Sequence, residues 1–310
     1  MRASATHIWA DQYDRDLADI FAVQDEITSS VALAVEPAIS DAEQQRVVRK
    51  PPGSLGAWEA YQRGMYHHAM GSEAENAAAR AFFQRAIEID PNFSPGYQGL
   101  VHTLIDDATL YLARSPADAA AAADPFARKA VMLDKTDAGA WIALNYVAFA
   151  RGDLSASLAL AEQALTLDPN SAAANWARSG SLTYLGRFEE AAVASRTFLR
   201  LSPRDPRAFR VRNHLAIGHY MAGDYAASVE AARQALRANP DQPLSYQWLV
   251  ASLGQLGQLE EARAAMEEAA PRVAPVPFGV YATKRGPWLR ESDHVRLLEG
   301  LRKAGLGQSL

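Results

Sequence analysis

The sequence contains no cysteine. Disulfide scaffolds, thiolate nucleophiles and cysteine-built zinc sites are therefore excluded. Charge of one sign is also lacking. The 31 Lys and Arg stand against 36 Asp and Glu for a net charge of −5, with both signs interspersed. A general nucleic-acid or membrane-surface binder would show a basic stripe instead. No window approaches the ~18 uninterrupted apolar residues that a spanning helix needs. Residues 1–9 hold no apolar run suited to a secretory signal. The expectation is a cytoplasmic chain with no membrane and no nucleic-acid partner. Phosphate-cradling loops of the GxxxxGKS/T or GxGxxG kind are absent, and so is the GxSxG nucleophile elbow.

What the chain does have is alanine and periodicity. Hydrophobic residues make up 49% of it, enough for a sizeable core, and alanine comes in runs such as Ala119 to Ala123. Alanine is the strongest helix former and lets helices approach closely. Period-two alternation of β-branched residues is scarce, so the chain reads as all-α.

Helix-ending elements recur as Ile89-Asp90-Pro91, Leu133-Asp134-Lys135, Leu167-Asp168-Pro169, Leu201-Ser202-Pro203 and Ala238-Asn239-Pro240. Their spacings are 44, 34, 34 and 37 residues, a 34-residue unit with insertions of ten and three. Seventeen residues before three of the prolines stand Gly152, Gly186 and Gly223, and Gly257 continues the series. A turn between two helices favours glycine, which alone takes a left-handed backbone cheaply. A second column is always small: Ala79, Ala123, Ser157, Ala191, Ser228 and Ala262. A third holds Ala86, Ala130, Ala164, Ala235 and Ala269, with Phe198 the exception. Small residues at fixed points let neighbouring helices pack tightly.

This pattern resembles the tetratricopeptide (TPR) repeat: a large residue early in helix one, glycine at the turn, proline after helix two. The unit near Ala138 matches best through Trp141, Leu144, Gly152, Ser157, Ala164 and Pro169. The resemblance implies six helix-turn-helix units, roughly 57–93, 94–137, 138–171, 172–208, 209–242 and 243–274, together a solenoid. The first has Ala74 where the turn glycine belongs. The second has Lys135 in place of proline and carries its ten extra residues around Asp106 to Pro116.

The ends depart from the repeat. Residues 1–50 read as a short strand-like start and an amphipathic helix, with Ile20, Val23, Ile27, Val31 and Val35 on one stripe. Pro51-Pro52-Gly53-Ser54 makes residues 51–56 a hinge. The segments His7-Ile8-Trp9-Ala10-Asp11 and Asp19-Ile20-Phe21-Ala22-Val23-Gln24-Asp25-Glu26 look like the last strand and helix of a TolB-like domain. In some bacterial proteins that domain joins an effector module, often a class III adenylate or guanylate cyclase, to a TPR array. The closing run from Leu297 to Leu306 is similar to the tail of that cyclase-associated group. The resemblance implies a truncated or split relative of a longer signalling protein. Residues 275–310 are expected to form a linker bearing Trp288 and then a capping helix from Ser292 to Ala304. Ser292 would be its N-cap, with Val295, Leu297, Leu298 and Leu301 turned inward.

No residue pattern supports catalysis, a cofactor or a metal. Cyclase chemistry needs aspartates on a mixed sheet, a frame that helical repeats do not offer. His67 and His68 are adjacent on a helix and diverge. His102, Asp106 and Asp107 read as a solvated helix end, and His219 as a core histidine. The basic run Arg204, Arg207, Arg210 and Arg212 reads as a solvated loop or as a contact for an anionic peptide.

In the TPR geometry the first helices line a concave groove. The groove residues expected to bind a partner are Tyr146, Phe149, Trp176, Tyr184, Arg210, Asn213 and Tyr220, large rigid groups being common anchors of binding energy. With Ile142, Tyr146 and Trp176 at the central positions, the clamp that some TPR domains place on a chaperone's terminal carboxylate is missing. The chain therefore reads as a non-catalytic protein-interaction scaffold that holds a peptide or domain in its groove. The alternative is a fragment of a cyclase-type signalling protein whose catalytic domain lies outside this chain.

Overall fold

In the computed structural model, residues 56–306 are described apart from 112, 204, 206, 274, 275, 286 and 287. The TolB-like segment at 1–50 and the hinge residues 51–55 lie outside the described residues. The described chain is helical throughout, with no strand among its residues. Contacts divide it into two bodies, one ending at Gly99 and the other beginning at Leu100.

The helices come as six successive pairs. They are α1 (Ala57–Ala69) with α2 (Glu73–Ile89), α3 (Ser94–Thr109) with α4 (Pro116–Leu133), and α5 (Ala138–Ala150) with α6 (Leu154–Leu167). Next come α7 (Ala172–Leu185) with α8 (Phe188–Leu201), α9 (Ala208–Ala222) with α10 (Tyr225–Ala238), and α11 (Pro243–Leu256) with α12 (Leu259–Ala269). Two further helices follow, α13 (Phe278–Thr283) and α14 (Glu291–Lys303). From α5 onward each first helix packs on its own second helix, and from α4 onward each second helix up to α10 packs on the next pair. This is the TPR solenoid arrangement.

The glycine column forms the turns. Gly152, Gly186, Gly223 and Gly257 have φ between 72° and 82°, where a Cβ would crowd the backbone. Asp153 and Asp224 follow two of them and cap the second helices, accepting from Ala156 N (3.0 Å) and Ala227 N (3.1 Å). The first pair also has its turn glycine, in a different register. Gly71 takes φ 72° ahead of the N-cap Ser72. Its second helix spans 17 residues where α6 spans 14, so the glycine sits three residues earlier than Ala74. The ten-residue insertion is absorbed partly in the α3–α4 connector and partly by α4, which reaches 18 residues.

All members of both small-residue columns are buried, Phe198 included. Where the first column carries serine, that serine meets another across pairs. Ser157 reaches Ser181 and Ser252 donates to Ser228, each at 2.8 Å and each over 24 residues of sequence. Each bond joins a second helix to the first helix of the next pair.

The C-terminal helix departs from its expected form. Beyond a 3-10 turn at Ala270–Arg272 the chain doubles back, and α14 lies on α11 instead of covering α12. The inward stripe is therefore Asp293, Leu297, Gly300, Leu301 and Ala304, while Val295 is 61% exposed. Helix α14 starts at Glu291, with Arg290 rather than Ser292 at the cap position. Close approach is possible because glycines face each other. A Cβ on Gly254 would meet the Gly300 carbonyl and fall 2.6 Å from Ala304 N. Gly254→Val should therefore force α14 off its seat, costing about 1–3 kcal/mol, as overpacking does. Thermal unfolding followed by circular dichroism would show a lowered midpoint, and an unchanged midpoint would contradict the close packing.

Candidate functional site

The first helices α5, α7 and α9 bring together six of the seven expected groove residues. Tyr146, Phe149, Trp176, Tyr184, Arg210 and Asn213 line one cavity of about 120 Å³, together with His214 and Trp288. Tyr146 and Trp176 meet edge to face at 5.0 Å, and Phe149 and Tyr184 at 5.6 Å. Burial raises the Tyr146 hydroxyl pKa and pushes that of Tyr184 up to about 12, so both rings present neutral phenols.

Arg210 is not an open cation. Its Nη2 donates to Asp106 at 2.7 Å, and the guanidinium lies 5.1 Å over the Trp176 ring. The pair is largely buried, with side chains 13% and 6% exposed. Asp106 is thus no solvated helix end. Arg207 is likewise engaged, by Asp205 at 3.2 Å. Arg207 and Arg210 are therefore both paired within the chain. Trp176 Nε1, Arg210 Nε and Asn213 Nδ2 are buried N–H groups with no acceptor among the described residues. Such donors cost about 1–3 kcal/mol each when left unmade, so their clustering around one cavity is a mark of a site.

His214, on α9, is half-buried against α7. Its Nδ1 lies 2.9 Å from Ser179 Oγ, which also meets Ser195 Oγ at 2.6 Å. Gly180 sits over the ring, close enough that a Cβ there would lie 3.3 Å from it. His67 pairs with Glu75 at 2.6 Å and stacks on Phe82. Among the described residues no group of three or more histidines, aspartates or glutamates could hold a metal ion. No described helix is long and apolar enough to cross a membrane.

Tyr220, the seventh expected residue, is elsewhere. It is fully buried beneath α14, packs on Trp248 at 5.4 Å, and donates its hydroxyl to the Arg296 carbonyl at 2.7 Å. The expectation of Tyr220 as an open groove residue is thus corrected: the chain's own C-terminal segment covers it. Sequence reasoning also missed Trp288. Its ring lies 4.9 Å from Phe149 and 6.2 Å from Tyr184, and its Nε1 donates to the Phe149 carbonyl at 2.6 Å. Nothing periodic marks it, since it stands outside the repeat. An isolated tryptophan in a loop was the one available signal.

The comparisons agree with this architecture. A structure of the APC/C hetero-tetramer Cut9-Hcn1 aligns with 88% of this chain at a TM-score of 0.61 and 13% identity, and the chain covers 48% of it. A thermophilic TPR protein of Thermus thermophilus aligns at 0.49 and 18% identity over 65% of this chain and 99% of its own. In sequence, 94 residues are 31% identical to a putative adenylate cyclase 3 of Rhizobium meliloti (strain 1021). That stretch is 30% of this chain and spans only 16% of the cyclase's length. No protein-family model matches. The fold itself, successive helix-turn-helix pairs, defines an all-α repeat chain of the TPR type.

His214 gives a pH signature. Desolvation, with Arg210 nearby, lowers its pKa from 6.5 to about 3. The unfolded chain therefore binds a proton that the folded chain refuses anywhere between those values. Stability should be intact above pH 6.5 and fall as pH drops toward 3. From pH 7 to pH 5 this site should cost about 1–2 kcal/mol. Urea unfolding at the two pH values, wild type against His214→Gln, should show a smaller loss in the variant. Equal losses would remove His214 as the cause.

Proposed function

We infer that this chain is a non-catalytic protein-interaction scaffold, a regulatory arm that holds a peptide-like segment on the concave face of its first helices. The observation that carries this reading is the occupancy of that face: the chain's own C-terminal segment lies on it, with Trp288 against both Phe149 and Tyr184. A surface that accommodates a tryptophan and satisfies its N–H can do the same for a segment in trans. Unpaired donors on Trp176, Arg210 and Asn213 would take main-chain carbonyls of such a segment. The TPR-type fold supports the reading as a scaffold, though one fold serves many roles.

A second reading has its own observation. The likeness to a putative adenylate cyclase 3 supports a place in a cyclase-type signalling protein, with catalysis residing in another part of it. The two readings are compatible, since a scaffold arm can serve a catalytic module.

The groove reading is tested by affinity capture with the full chain, comparing wild type with Trp176→Ala/Tyr184→Ala and identifying bound proteins by mass spectrometry. The double variant should lose the wild type's specific partners by about tenfold or more in recovered amount. Retention of the same partners at equal yield would refute the aromatic groove. Cyclic nucleotide production from ATP or GTP with magnesium or manganese should be undetectable; turnover would overturn the non-catalytic reading.

A further inference from the structure

The C-terminal segment touches the solenoid in a regular way. Trp288 Nε1 donates to the carbonyl of Phe149, next to last in α5. Arg290 Nη1 reaches the carbonyl of Leu185, last in α7, at 3.4 Å. Arg296 Nη1 donates to the carbonyl of Met221, next to last in α9, at 2.8 Å. Three successive first helices thus each receive one side-chain donor at the carboxyl end. Those ends carry the negative pole of the helix dipole, so they favour N–H groups and cations; the Phe149 carbonyl accepts from Gly152 N at 2.9 Å as well as from Trp288. Ring contacts add to the donors: Trp288 on Phe149, and the Arg290 guanidinium 5.7 Å over Phe188. Asp293 holds Arg290 in place through two bonds, at 2.7 and 2.9 Å.

We propose that residues 288–296 are an intramolecular ligand of the concave face, and that the partner this face fits is a protein segment of the same chemistry. That segment presents a tryptophan followed two residues later by arginine, whose donors read the carbonyls at the ends of α5 and α7. The inference rests on the concave-face reading above and adds the occupant's chemistry. It also states a relation: the external segment binds where the tethered one now lies, so the two compete. The competition is steep because a tethered segment acts at an effective concentration in the millimolar range.

A fluorescein-labelled peptide with the sequence of residues 284–292 tests this by anisotropy titration into full-length protein. The wild type should bind it feebly. Trp288→Ala/Arg290→Ala in the protein should bind it at least about tenfold tighter, and adding Tyr184→Ala should abolish the gain. A peptide with its tryptophan replaced by alanine should not bind. Trp288→Phe keeps a ring and loses only the indole N–H, which guards against misfolding of the double variant; it should bind several-fold tighter than wild type. No gain in either variant, or a gain that persists with the tryptophan-free peptide, overturns the proposal. Partner capture that depends on Trp176 and Tyr184 while this peptide fails would sink only the self-ligand inference. Loss of that dependence would sink the concave-face reading itself.

Discussion

Two helices can approach closely only where neither presents a bulky side chain at the crossing. In this chain that condition is met at two fixed points of every unit but one, where Phe198 stands in the second column, and the rest follows from it. The buried Ala79, Ala123, Ser157, Ala191, Ser228 and Ala262 column lets each second helix meet its first. The second column, ending in Ala269, admits the neighbouring pair. Close packing leaves little room for buried polar atoms without partners, and the serines that replace alanine accordingly find one another. Interiors packed this tightly transmit strain rather than absorb it, so side chains projecting from the first helices are held in place.

The helix pairs, the turn glycines and the small columns were legible in the sequence because each is local and repeats. Gly152 and Gly223 declare themselves by spacing alone. Where the period broke, so did legibility. Gly71 escaped because α2 is three residues longer than α6, shifting the turn relative to Pro91. The cavity residues from Tyr146 to Asn213 could be placed by carrying one geometry across units. Trp288, Arg290 and the seat of α14 could not, since an aperiodic segment gives no register and its position is decided by tertiary contact. Val295 pointed outward for the same reason: the inward stripe depends on which helix α14 lies against.

The charge on Arg210 illustrates a similar limit. Sequence placed it near the start of the first helix of its pair, but its partner Asp106 is 104 residues away. What looked like a cation open to an anionic ligand is instead a neutralised group stacked on Trp176. If the proposed binding face is used, its chemistry is that of aromatic rings, helix-end carbonyls and a few N–H groups rather than of Arg210's charge. Binding of this sort should depend weakly on ionic strength, because no free counter-charges are being exchanged.

Repeat arrays are ordinarily quasi-one-dimensional: each unit feels only its neighbours, and the ends fray independently. The Asp106–Arg210 bond departs from that rule. It ties α3 to α9 across the two intervening units, and the Trp288–Phe149 bond closes a still longer loop of 139 residues. Stitches of this kind raise the mean sequence separation of contacts, and they convert nearest-neighbour melting into a concerted loss of several units at once. A repeat array so fastened should unfold with the cooperativity of a globule.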